Sequence, residues 1–137
     1  MIDGTVYLAV ESSAGPRGTV LVKSDNPFGG FEQISTVMIG DAGTDSTAPF
    51  PFYDQSTGEL WILLNHDNFE NVQARHAPLN NLPSSSSGWT DEGIVISDAS
   101  DPKTALVEDG TPYVAFRDIS GANPRYSVMS GKTPATH

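Results

Sequence analysis

The stretch Asp109–Phe116, DGTPYVAF, has two counterparts earlier in the chain: Asp3–Val10, DGTVYLAV, and Thr57–Leu64, TGELWILL. Each sets a glycine at a turn, an aromatic residue three places on (Tyr7, Trp61, Tyr113) and then a short apolar run. The glycines, Gly4, Gly58 and Gly110, stand 54 and 52 residues apart. A period of this size marks a chain built from one supersecondary unit used repeatedly.

Other marks keep the period. A polar loop after each marked strand leads to GTVLVKS (Gly18–Ser24), NVQARHA (Asn71–Ala77) and RYSVMSG (Arg125–Gly131). A glycine followed by Phe31 or Trp89 opens a further strand in GGFEQISTVMI and SGWTDEGIVIS. Ahead of the mark come STAPFPFYD and ASDPKTALVED, with Pro49 and Pro102 53 residues apart. Each unit therefore reads as four short strands, A to D, with the marked segment as B. Apolar residues alternate or run on, as in YLAV, WILL and GIVI, and helical i, i+3, i+4 spacing is not sustained. Helix content is expected to be close to nil. Pro49, Pro51 and Pro102 fit the beginnings of A strands, because a strand's first residues or an edge tolerate proline.

Four antiparallel strands repeated every ~40–50 residues are the signature of a β-propeller. The fold class expected is all-β: a single repeat-built domain over residues 1–137, with blade units at approximately 1–40, 41–98 and 99–137. Strand B then lies mid-blade with both faces packed, which explains its unbroken apolar runs. The alternative, a β-sandwich of about ten strands, accounts for the strands but not for the repeat. The order B-C-D, A-B-C-D, A-B-C amounts to about 2.5 blades, while closed propellers have about four to eight. The terminal GKTPATH reads weakly as a strand. Open blades expose edges and apolar faces, so the ring is expected to close by homo-oligomerisation, or to belong to a longer propeller.

Composition narrows the function classes. The 137 residues are 37% hydrophobic and 9% aromatic, enough for a core, and 13 glycines and 10 prolines suit many turns. Seventeen acidic against 7 basic residues give a net charge of −10. That field repels nucleic acid and anionic membrane, whose binding depends on Lys and Arg neutralising phosphates. There is no cysteine, which removes disulfides, thiolate chemistry and Cys-ligated zinc. No apolar run approaches the ~18 residues of a membrane span. The start MIDGTVYLAV enters strand pattern at once and does not read as a signal peptide. An extracellular or periplasmic location is nonetheless the expectation.

Strand alternation sorts the loops. The D–A and B–C loops emerge on one face of the sheets and the A–B and C–D turns on the other. The first face carries Glu11, Asp41, Asp45, His66, Asp67, Asp98, Asp101, Arg117 and Asp118. The second carries DQSTG, EDG, NPFGG and NNLPSSSSG, which read as turn chemistry. On the rich face DAGTD and SDASD offer hard oxygens suited to Ca²⁺, with Asp41, Asp45 and Asp98 as ligands, although neither follows the EF-hand order. No other cofactor is implied: Gly-rich phosphate loop, nucleophile elbow and paired-His metal motif are all missing. Tyr7, Trp61 and Tyr113 share one place in the repeat and are assigned to core packing, as is Trp89. His66, at the end of an apolar strand, is better placed for a site than His76.

The segments DASDPKTALVEDGTPYVAFRD and KSDNPFGGFEQISTVMIGDAGTDSTAPFPFYDQSTGELWILLNHDN resemble blades of the five- and six-bladed glycan-active propellers, namely the arabinanase/xylosidase-type glycoside hydrolases and the sialidases. This resemblance implies carbohydrate substrates and catalytic carboxylates at the central mouth. The arabinanase type carries an Asp-Pro at the start of an A strand, with the Asp as general base. Asp101-Pro102 matches it, while the equivalent place one unit earlier is Ala48-Pro49. The sialidase Asp-box, Ser-x-Asp-x-Gly-x-x-Trp, is approached by Ser24–Phe31, SDNPFGGF, but here Ser and Asp are adjacent. The sialidase arginine triad finds no match among Arg17, Arg75, Arg117 and Arg125.

Three functions follow. The first is a lectin-like module that binds carbohydrate through the rich face, with Glu11, His66 and Arg117 on sugar hydroxyls. The second is a glycoside hydrolase, or part of one, with Asp101 as base and Asp45, Asp67 or Asp118 as partner carboxylate. Such pairs stand ~5–9.5 Å apart across the scissile bond. The third is a structural interaction scaffold.

Overall fold

The computed structural model describes residues 2–12, 17–39, 47–66, 71–106, 112–119, 124–130 and 133–136. Its strands pair antiparallel with their sequence neighbours in three separate sheets. The first holds β1 (Val6–Glu11), β2 (Thr19–Ser24) and β3 (Glu32–Met38) in that order. The second runs β4 (Thr47–Asp54), β5 (Glu59–His66), β6 (Asn71–Pro78), β7 (Thr90–Ser97). The third runs β8 (Ala99–Leu106), β9 (Pro112–Asp118), β10 (Pro124–Ser130), β11 (Thr133–Thr136). The repeated stretch supplies β1, β5 and β9, each second to its A strand where one is present. These are the sheets of an open, partial propeller.

One expectation needs correction. GKTPATH does contain a strand: β11 pairs with β10 from Ser127↔Thr136 to Ser130↔Thr133. Its Pro134 is admissible because β11 is an edge strand, where a missing N–H need not break a ladder. The long C–D link of the second sheet also holds two 3-10 turns, Leu79–Asn81 and Ser86–Gly88.

The middle sheet is packed on both faces, and β5 shows why its sequence is apolar throughout. Successive strand residues point to opposite faces. Leu60, Ile62 and Leu64 share one core with Leu21 and Val37 of the first sheet, Ala77 and Trp89. Trp61 and Leu63 share the other with Phe52, Val72, Ala74 and Ile96, and with Ala99, Val114 and Phe116 of the third sheet. Burying each such Leu, Ile or Val stabilises the fold by about 1.5–3 kcal/mol. By contrast the first sheet buries one side only. On its other side Val6, Val10, Val20 and Val22 are half-buried and Leu8 is 40% exposed.

Polar contacts fix the order of the sheets. Across the first joint, buried Trp89 donates its indole N–H to Ser35 Oγ, and Ser35 donates to the Pro83 carbonyl. Arg75 crosses the same joint, donating from Nη1 to the Val37 carbonyl at 2.8 Å and from Nη2 to Asp91 Oδ2 at 2.6 Å. On the face toward the third sheet Phe52, Trp61 and His76 form a stack, with centroids 5.9 Å and 4.2 Å apart. Trp61, Trp89 and His76 are thus built into the interior, and half-buried Tyr7 packs against the first core. The His76 Nε2 pairs with Glu92 Oε1 at 2.9 Å; its Nδ1 lies 3.0 Å from Glu59 Oε1 but off the hydrogen-bonding direction.

The turn between β2 and β3 clarifies the Ser24–Phe31 motif. Ser24 Oγ accepts the Asn26 N–H at 3.0 Å and donates to the Gly29 carbonyl, while Asn26 Oδ1 accepts the Phe28 N–H at 3.0 Å. Asn26, two places after the serine, closes the turn, and the adjacent Asp25 instead accepts the Thr5 hydroxyl at 2.8 Å.

Candidate functional site

The site begins with a proline. Pro102 has no N–H for the ladder, and the β8–β9 register shifts by one between Ser100 and Lys103. The same shift occurs in β4 between Thr47 and Phe50, at Ala48-Pro49. Both A strands therefore enter their sheets through a bulge at the X-Pro pair, and such bulges re-aim side chains. Only the third sheet places a carboxylate there, on Asp101.

Asp101 sits at φ +54°, and Asp98, three residues earlier, also at +54°. Asp and Asn are the non-glycine residues that visit this left-handed region most readily. Both ends of the Ser97–Pro102 link are tied to neighbouring B strands. The Asp98 carbonyl accepts the Ile119 N–H at 3.1 Å, just beyond β9. The Asp101 N–H is donated to Asn65 Oδ1 at 2.9 Å, at the end of β5 in the preceding sheet. Asn65 is fully buried on the Trp61–Leu63 side of β5, and its Nδ2 has no partner among the described residues.

The Asp101 carboxylate is about half exposed: its side chain retains 49% of its accessible surface. Arg117, directly across the ladder from Ser100, donates from Nε to Ser100 Oγ at 3.1 Å and lies 3.7 Å from Asp101 Oδ2. The result is an open carboxylate on a fixed backbone with a guanidinium beside it. Such a group accepts hydrogen bonds from hydroxyls or takes a proton from water.

The other sequence candidates fall out as follows. Glu11 is exposed at the end of β1. Asp118 is 4% exposed and shares a face of β9 with buried Val114 and Phe116. Asp98 is placed by its left-handed backbone on the link itself. His66 ends β5, with only its backbone described. Asp41, Asp45 and Asp67 lie outside the described residues. No three His, Asp or Glu side chains gather as a cation site among the described residues. Sequence reasoning missed Asn65. The signal was available, since Glu11, Asn65 and Arg117 all stand four places after the repeat's aromatic residue.

No protein-family profile matches the sequence, and no curated protein matches it. Solved structures do resemble the fold. An exo-β-1,3-galactanase from Clostridium thermocellum aligns over 97% of this chain with a TM-score of 0.76 at 14% identity. A β-1,3-galactosidase of glycoside hydrolase family 43 aligns over 100% with a TM-score of 0.77 at 11% identity. An engineered family 43 enzyme with endo-xylanase and exo-arabinofuranosidase activity aligns over 96% with a TM-score of 0.70 at 13% identity. The chain spans 34%, 32% and 28% of those proteins' lengths. At such identities the likeness is one of fold: the sheets of this chain are arranged as in part of the propellers of these enzymes.

Proposed function

We propose that this chain is the carbohydrate-acting part of a glycoside-hydrolase-type propeller, with Asp101 as a carboxylate that accepts a proton from water at the sugar. One observation carries the reading: among the described residues the only X-Pro bulge bearing a carboxylate holds it open to solvent, on a backbone pinned by the adjacent sheet. The fold likeness to family 43 enzymes supports hydrolysis over a purely lectin-like role. Asp45 and Asp67, which lie outside the described residues, are the proposed partner carboxylates; Asp118 is less suited because it is buried.

Sugar binding without turnover is the second reading, favoured by Ala48 at the equivalent bulge, where no second carboxylate stands. The test is hydrolysis and binding of β-1,3-galactobiose, xylobiose and arabinobiose by the chain and by Asp101→Ala. Turnover abolished with binding retained supports the hydrolase; binding lost with no turnover in either supports the lectin. Neither activity in the unaltered chain contradicts both.

Ring closure belongs to the same proposal. The half-buried valines and Leu8 on the outer face of the first sheet are suited to packing against a further sheet, and we assign it to another copy of the chain. Light scattering giving a defined oligomer supports this, and a monomer at high concentration contradicts it.

A further inference from the structure

We infer that Asn65 is a positioning residue for Asp101, which makes the reactive geometry of one sheet depend on the strand end of another. This rests on the reading of Asp101 as the acting carboxylate. Two independent features oppose the conformation seen at Asp101. A residue with a Cβ disfavours positive φ, and a residue preceding proline is driven to extended backbone with φ near −120°. Asp101 nevertheless holds φ +54°. A conformation disfavoured twice persists only where its surroundings over-determine it.

The hydrogen bond from the Asp101 N–H to Asn65 Oδ1, 2.9 Å long, supplies that determination from β5. Because Asn65 is fully buried, its rotamer is set by packing beside Leu63. Asparagine here also leaves a buried Nδ2 unpartnered among the described residues. A buried donor in that state is uncommon in native proteins. An apolar residue would avoid the cost but would give up the acceptor. A neutral amide further suits a place next to a carboxylate, where a second negative charge would repel it. Below the bulge, Pro102 is fully buried and anchors the strand. The carboxylate is thus delivered between an anchor on its own sheet and a hydrogen bond from the preceding one.

The experiment compares Asn65→Leu, which keeps bulk and removes the acceptor, with Asn65→Asp, which restores an acceptor. Amide hydrogen exchange at Asp101 is read by NMR, with Leu63 and Val114 as controls for the core. Asn65→Leu is expected to accelerate Asp101 exchange about tenfold relative to the controls, and Asn65→Asp to recover only part of that protection, because its acceptor brings a charge toward the carboxylate. On β-1,3-galactobiose, Asn65→Leu is expected to lower kcat at least about tenfold with KM little changed, as misplacement of a reacting group does. If Asn65→Leu does not fold, Asn65→Ala carries the same readout. Unchanged Asp101 exchange in the acceptor-less variant overturns the inference. Absent turnover in the unaltered chain overturns the hydrolase reading instead, and exchange still decides the role of Asn65.

Discussion

Trp89 donates its indole N–H to Ser35 Oγ at 2.9 Å, joining the second sheet to the first across 54 residues of chain. Ser35 donates its own hydroxyl hydrogen bond to the Pro83 carbonyl, so one hydroxyl ties together β3, the C–D link and the start of β7. Ser35→Ala leaves a buried indole N–H without a partner, which costs about 1–3 kcal/mol. Denaturant unfolding of Ser35→Ala, Trp89→Phe and the double variant checks this. A coupling of about 0.5–3 kcal/mol between the sites is expected. Strict additivity would mean that the Trp89–Ser35 hydrogen bond does not couple the two sheets.

Gly88 lies against the same clasp for a steric reason. A Cβ added there would stand 2.5 Å from the Pro83 Cβ, within a ring that has no flexible end to move aside. Gly88→Ala is expected to destabilise by about 1–3 kcal/mol, as overpacking does. Gly58→Ala tests a different cause: its new Cβ meets nothing within 4 Å, but its φ is +74°. There the expected cost is backbone strain of about 1–2 kcal/mol. Thermal midpoints of the two variants, with and without Pro83→Gly, which removes the opposing Cβ, separate the mechanisms, since only the Gly88 effect should be relieved.

Acid sensitivity is expected from two carboxylates. Partial burial pushes Asp91 upward, but hydrogen bonds from Gln73 and the Gly93 N–H, together with the Arg75 guanidinium, outweigh it and hold the carboxyl below its ordinary 3.8. For Asp54, the same upward push is outweighed by the hydroxyl and backbone donors of Ser56 and Thr57. A carboxyl lowered in the folded state contributes stability that is complete above its unfolded value and is lost as pH falls through the folded one. Thermal midpoints should therefore hold near neutrality and drop below about pH 4. Asp91→Asn should flatten that drop and lower the plateau. An unchanged acid limb would remove Asp91 from the account.

At Asp101 the backbone and the carboxylate can be separated. Asp101→Gly and Asp101→Asn accept the left-handed conformation and should leave stability within about 0.5 kcal/mol. Asp101→Val, β-branched, should cost about 1–3 kcal/mol. Unfolding curves decide between strain and side-chain contacts. Equal stability of the Val and Gly variants would show that φ at 101 is not constrained.

How far the sequence reached depends on what each residue reports. The Gly-x-x-aromatic mark located β1, β5 and β9 because the same turn and strand recur in each sheet, and at β5 packing on both faces makes the run Leu60–Leu64 apolar throughout. Pro49 and Pro102 located the entrances to β4 and β8, since a missing N–H leaves an imprint on the ladder. Strand β11 was underread, because an edge strand with one paired neighbour needs no apolar alternation, and Thr133–Thr136, TPAT, carries a proline and no apolar run. The 3-10 turns at Leu79–Asn81 and Ser86–Gly88 arise from packing of a long link, for which NNLPSSSSG carries no periodic signal. At the site, Asp101 was legible through its proline. Asn65 was not, because its part is played through a backbone N–H in another sheet, and a buried amide at the end of an apolar run resembles a strand terminus.

The most direct test of the central claim is an amide chemical-shift titration of the ¹⁵N-labelled chain with β-1,3-galactobiose. Shifts centred on Asp98, Asp101, Arg117 and Ile119, with Ser56, Gly58 and Gly93 unmoved, are expected if the D–A and B–C loops form a carbohydrate-acting face. Shifts confined to the opposite turns, or none with this disaccharide, xylobiose or arabinobiose, would contradict it.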